Sequence, residues 1–185
     1  MKTKLTLIFS MIFLAAVLFS STVFVPTANA APNAASACSC LVYFENNKTL
    51  PATGNAYFKA YQYGDWLSSY KGSYSTKGYN VSYVTPSTSG FGQLLLIGTG
   101  VVFNPGAFYS DGTYGHIGIV TSASYNSSTK LWTIQYKDAN GWTLKNGSIS
   151  VVSGPFTESG CSNVVIRKLV TSSLSGLRFF NWSKK

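Results

Sequence analysis

Three cysteines, Cys38, Cys40 and Cys161, lie downstream of an export leader and constrain this chain more than any other feature. An oxidising compartment favours pairing, and an odd count leaves one thiol over. A Cys38–Cys40 bond would close a very small, strained ring. A Cys38–Cys161 bond instead closes a large loop, restricts the unfolded chain and leaves Cys40 free. The second pairing is the one expected; the opposing arrangement, with Cys40 bonded to Cys38 or Cys161, makes Cys40 structural.

The export reading comes from residues 1–30. Lys2 and Lys4 precede an apolar run from about Leu5 to Val25, and Ala28-Asn29-Ala30 then offers small side chains where a signal peptidase reads them. Cleavage before Ala31 is expected. The run is about long enough to span a bilayer, so a retained anchor is the alternative. Ala35-Ser36-Ala37-Cys38 only faintly resembles a lipoprotein cleavage box. Loss of Lys2 and Lys4 leaves 155 residues with 12 basic and 5 acidic side chains, net +7. That length suits one domain with its own core. The charge favours polyanions near an exported protein, such as teichoic acids, anionic lipids and peptidoglycan carboxylates. Lysines are scattered, which argues against dedicated nucleic-acid binding. No stable membrane anchor is expected, and the protein is read as a monomer.

Residues 31–37 read as a flexible approach, and order is expected from Cys38. A short helix is expected from Cys40 to about Asn46, with Ser39 as N-cap. A second helix is expected over Gly54 to Tyr70, where Ala56, Ala60, Tyr63 and Leu67 recur at three- and four-residue steps. A polar connection then leads to short apolar segments between turn residues. Strands are expected at Leu94–Ile97, Val101–Asn104, His116–Ser122, Leu131–Tyr136, Trp142–Leu144, Ile149–Val152 and Val164–Leu169. Asn126-Ser127-Ser128 and Asn140-Gly141 are hairpin turns in this reading. The order, helices followed by an antiparallel sheet, is an α+β pattern, with a domain over residues 38–171. The tail, residues 172–185, is open between a last strand and a surface segment.

His116 is the only histidine, and it opens an expected strand in Gly115-His116-Ile117-Gly118-Ile119-Val120. Imidazole exchanges protons near neutrality and suits a base that must later return the proton. Cys40 stands at the first turn of an expected helix, where the dipole and unpaired N–H groups favour a thiolate. The two together are a nucleophile and its base. No Cys-x-x-Cys, paired-carboxylate or glycine-rich phosphate motif is present, so neither metal nor cofactor is expected.

Cys40-Leu41-Val42-Tyr43, Gly54-Asn55-Ala56 and the Gly115-His116 strand resemble, in order, the motifs of the CHAP family of cysteine- and histidine-dependent amidohydrolases and peptidases. The resemblance covers roughly Cys38 to Trp142. It implies a papain-like fold with N-terminal helices packed on an antiparallel sheet, and cleavage of bacterial cell-wall amide or peptide bonds through an acyl-enzyme. Asp138-Ala139-Asn140-Gly141-Trp142 is similar to the family's acidic or amide residue on the next strand, so Asp138 or Asn140 orients the imidazole. Cys38-Ser39 stands where the family commonly has Gly-Gln. The oxyanion donor that the sequence offers is therefore the Cys40 backbone N–H. N-acetylmuramoyl-L-alanine amidase, endopeptidase and acyl transfer all stay open, as does the bond attacked. The reading from another class is a secreted, non-catalytic wall- or glycan-binding module with structural cysteines and stacking aromatics.

Overall fold

The computed structural model describes residues 38–55, 58–70, 78–140 and 148–185. The leader, the approach over residues 31–37 and the expected strand Trp142–Leu144 lie outside the described residues.

Helix α1, Cys40–Lys48, begins where its cap dictates. Ser39 is extended, and its Oγ accepts the Val42 N–H at 3.2 Å. That satisfies one of the N–H groups a helix start leaves without an intrahelical acceptor, a contribution of about 1 kcal/mol. Thr49, in the left-handed region, ends the helix. The second expected helix is shorter than its periodicity implied. Gly54 has φ 64°, residues 56 and 57 are not described, and the helical stretch starts as a single 3-10 turn at Ala60–Gln62 that runs into α2, Tyr63–Ser69. Loop contacts replace helix over Pro51–Asn55. The Tyr63 hydroxyl donates to the Pro51 carbonyl at 2.8 Å, and the Thr53 N–H donates to the Glu45 carboxylate at 2.9 Å.

Strand β1, Tyr79–Val84, lies in the stretch read as a polar connection. The expected strand Leu94–Ile97 is instead the end of α3, Gly90–Leu94, and the turn after it. Ser89 Oγ caps α3 by accepting the Gly92 N–H at 3.0 Å, so a polar cap overrides a run of leucines. Strands β2 (Gly100–Phe103), β3 (His116–Asn126), β4 (Leu131–Ala139), β5 (Ile149–Glu158) and β6 (Cys161–Thr171) follow, mostly longer than expected. The tail forms β7, Leu177–Lys184.

All seven strands join one antiparallel sheet in the order β1-β7-β2-β3-β4-β6-β5. The fold is α+β. β7 is interior, with Phe179 opposite Val84 on one side and Val101 on the other. Two clusters divide the core. One holds Leu41, Phe44, Tyr63 and Leu67 against Val102, Ile117, Ile119 and Phe180. The other holds Leu96, Val101, Phe103, Val120, Ile134, Tyr136, Leu169 and Phe179. Each fully buried Phe or Leu stabilises the fold by about 1.5–3 kcal/mol. The alternation along β3 assigns Ile117 and Ile119 to the cluster under α1, and Val120 to the second.

Candidate active site

Cys38 and Cys161 form a disulfide with Cα atoms 5.3 Å apart, as the loop argument expected, and Cys40 is a free, partly exposed thiol. The bond ties the residue two before Cys40 to the start of β6. Asn163 reinforces the tie, since its Oδ1 accepts the Cys38 N–H and its Nδ2 donates to the Cys38 carbonyl, both at 2.9 Å. The start of α1 is thus clamped to the sheet.

Across from it stands His116, first residue of β3 and 4% exposed. Its position depends on two glycines. Gly115, at φ 65°, packs against the Phe103 carbonyl where a Cβ has no room. At Gly118 a Cβ would lie 2.9 Å from the Tyr136 ring and 3.5 Å from the Asp138 Cβ, so the missing side chain admits the next strand's polar group. Phe103 packs edge-on against the imidazole at 5.6 Å between centroids.

Asp138 is fully buried on β4, and its Oδ2 lies 2.6 Å from His116 Nε2. That contact leaves Nδ1 as the ring nitrogen available to the thiol. Burial alone would pull the imidazole toward its neutral form. The charge on the Cys40 sulfur and hydrogen bonds to Asp138 and Cys40 outweigh it and push His116 up to about 10. Asn140, the other sequence candidate for orienting the ring, lines the cleft from an exposed position at φ 54°, while the imidazole bond goes to Asp138.

Two residues at this site were not singled out from sequence. Arg167 on β6, 4% exposed, places Nε 3.0 Å from both Asp138 oxygens. No motif marks it, because in sequence it follows Val164, Val165 and Ile166 as a surface cation commonly follows a run of strand formers. Glu158 is the other. It accepts from the Tyr43 hydroxyl at 3.2 Å and from Asn47 at 2.6 Å, and pairs with Lys137 at 2.7 Å, which joins α1 to β4 and β5. Tyr43, fourth residue of the cysteine motif, is fully buried, and burial followed by the Glu158 charge pushes its hydroxyl up.

Cys40 and His116 open on a cleft of about 550 Å³, with Ser39, Phe58, Tyr114 and Asn140 among its walls. Gly54 and Asn55 of the second motif also line it; Ala56 is outside the described residues. Its acidic side chains are Glu45 and Asp111. Burial pushes the Glu45 carboxyl up against the opposing hydrogen bond from Thr53, whereas backbone N–H groups of Tyr114 and Thr113 hold Asp111 low. Among the described residues, no group of three or more His, Cys, Asp or Glu side chains is placed to hold a metal ion. None of the described helices is long and apolar enough to cross a membrane.

No protein-family model matches the chain, and no curated protein matches it. Among solved structures, the chain is similar to an N-acetylmuramoyl-L-alanine amidase from Staphylococcus aureus, at 18% identity and a TM-score of 0.42. The match covers 85% of this chain and 33% of that one, so the chain spans about a third of that protein's length.

Proposed function

We propose that this chain is an exported cysteine amidohydrolase of the CHAP type that cleaves amide or peptide bonds of peptidoglycan. The observation that carries the chemistry is the thiol left free by the Cys38–Cys161 bond, at the capped start of α1 and against a buried imidazole held by a carboxylate. A binding module has no use for that arrangement. The substrate and the cell-wall location rest on the motif resemblance and on the basic charge of the exported chain.

In the first half-reaction, Cys40 Sγ attacks the amide carbonyl carbon, and the carbonyl electrons move to oxygen. N–H groups at the first turn of α1 have no intrahelical acceptor and are the donors at hand for that oxyanion. The C–N bond then breaks, its electron pair stays with nitrogen, and His116 protonates the leaving amine. In the second half-reaction His116 takes a proton from water, the hydroxide attacks the thioester, and Sγ departs. Carboxylate and amine are the products.

The test is mass spectrometry of purified peptidoglycan fragments after incubation with the protein. New paired carboxyl and amine termini are expected, and their identity names the bond. Cys40→Ala and His116→Ala should each reduce fragment release by about 10³-fold or more, with no further loss in the double variant, because the two act as one unit. Wild-type release from Cys40→Ala would overturn the assignment of the nucleophile.

A further inference from the structure

We propose that Arg167 is a positioning residue of this site: a buried cation that fixes the Asp138 carboxylate against His116 and opposes uptake of an extra proton by the Cys40–His116–Asp138 chain. The proposal rests on the reading of those three residues as nucleophile, acid/base and orienter.

The location of Arg167 is unusual for its residue type. It shares a face of β6 with Leu169, which is in the second core cluster, and directly opposite it on β4 is Tyr136, also of that cluster. Burying a guanidinium costs several kcal/mol unless its partners are well placed, and an aliphatic side chain fills such a position more cheaply. Among the described residues its ion-pair partner is Asp138, reached diagonally along the strand, with Nε 3.0 Å from Oδ1 and 3.0 Å from Oδ2. One N–H held between both oxygens sets the plane of the carboxylate. Oδ2 then has one direction left for His116 Nε2, which meets it at 2.6 Å. A line of side chains thus runs from β6 through β4 and β3 to the start of α1.

The charge acts as well as the geometry. Groups facing Asp138 are His116 of β3, Arg167 of β6, Tyr136 of β4, and Tyr43 of α1, with Cys40 of α1 beyond the imidazole. Glu158 of β5 and Lys137 of β4 neutralise each other beside Tyr43. Among the described residues, Arg167 is the one fixed cation in contact with the chain of proton-carrying groups. Its removal makes every neighbouring site hold a proton more tightly.

His116 is the only histidine, so the two ring nitrogen signals of ¹⁵N-histidine-labelled protein belong to it alone. Cys40 is the only cysteine outside the disulfide, so iodoacetamide reports on it alone. In Arg167→Met, the His116 titration midpoint and the pH profile of Cys40 alkylation should both move up by about one pH unit. Arg167→Lys keeps the charge but not the planar fork. Its midpoint should match wild type, while exchange of the His116 Nε2 proton with water should quicken about tenfold as Asp138 loses its fixed plane. An unmoved titration and alkylation profile in folded Arg167→Met would overturn the proposal, and so would wild-type proton exchange in Arg167→Lys if the methionine variant does not fold. None of these readouts needs peptidoglycan. A protein that releases no wall fragments yet shows both shifts would sink the proposed reaction and leave the role of Arg167 standing.

Discussion

At His116 two opposing forces can be ranked. Burial disfavours the imidazolium, yet the charge on Cys40 and the hydrogen bonds to Asp138 and Cys40 win, and the ring is pushed up to about 10. Since that lies above the ordinary imidazole value of about 6.5, charged His116 stabilises the fold fully below that value. The contribution is lost as pH rises from there through about 10. Urea unfolding of wild type and His116→Gln at successive pH values checks this: the gap between them should narrow over that window. Asp138→Asn tests the neighbouring link. An amide whose oxygen faces Arg167 must turn its NH₂ toward Nε2, which disfavours the imidazolium and selects the neutral ring with its one proton on Nδ1, so the ring no longer exchanges that proton as an acid and base. Turnover of wall fragments should fall by about 10³ to 10⁴. The fold should weaken as well, by about 3–5 kcal/mol, because a buried Arg167 loses its counter-charge. In the sequence, the resemblance of Asp138-Ala139-Asn140-Gly141-Trp142 to the family pattern left Asp138 and Asn140 as the two candidates for orienting the ring. The stability cost was not legible there, since it comes from a residue 29 positions away whose placement depends on strand register.

Element boundaries followed the sequence where a local chemical signal set them, and departed from it where only periodicity did. Ser39 and Cys40 marked the start of α1 because an N-cap acts within three residues. Ser39→Ala should lower stability by about 1 kcal/mol, read as a reduced urea midpoint, and should slow Cys40 alkylation by loosening the first turn. Over Gly54–Tyr70 the helical spacing was real, but the positive φ of Gly54 and the pull of Glu45 and Tyr63 on the loop confined helix to its second half. At Leu94–Ile97 the apolar run suggested a strand. Only Leu96 of that run is buried, and the Ser89 cap with the turn into Gly98 accounts for the rest. β1 escaped notice because its burial is patchy: Ser82 and Tyr83 are exposed, and among the described residues its one strand partner is β7. A strand paired on one side and half wet on both faces carries no clean alternation.

For the molecule as a whole, the tail shows how far a long-range partner can matter. Residues 177–184 gave no decisive pattern, yet they fill the gap between β1 and β2 and put Phe179 and Phe180 into both core clusters. Sheet order of this kind is a property of distant pairings, which explains why residues near the tail looked optional in sequence. The disulfide was easier to read, because counting and loop size suffice to rank pairings. Its 123-residue separation implies a stabilisation of about 4–5 kcal/mol through the unfolded chain. Its position has a consequence for when the protein can work. The sulfur that should react must stay reduced, while two residues upstream the sulfur that anchors its helix must stay oxidised. Activity against reductant should therefore pass through a maximum: mild thiol restores any Cys40 lost to oxidation, and stronger reduction releases Cys38 from Cys161 and lets the start of α1 drift from His116. A titration of fragment release against redox-buffered glutathione followed by dithiothreitol measures the width of that window. A steady rise to full reduction would mean that the nucleophile holds its place without the clamp.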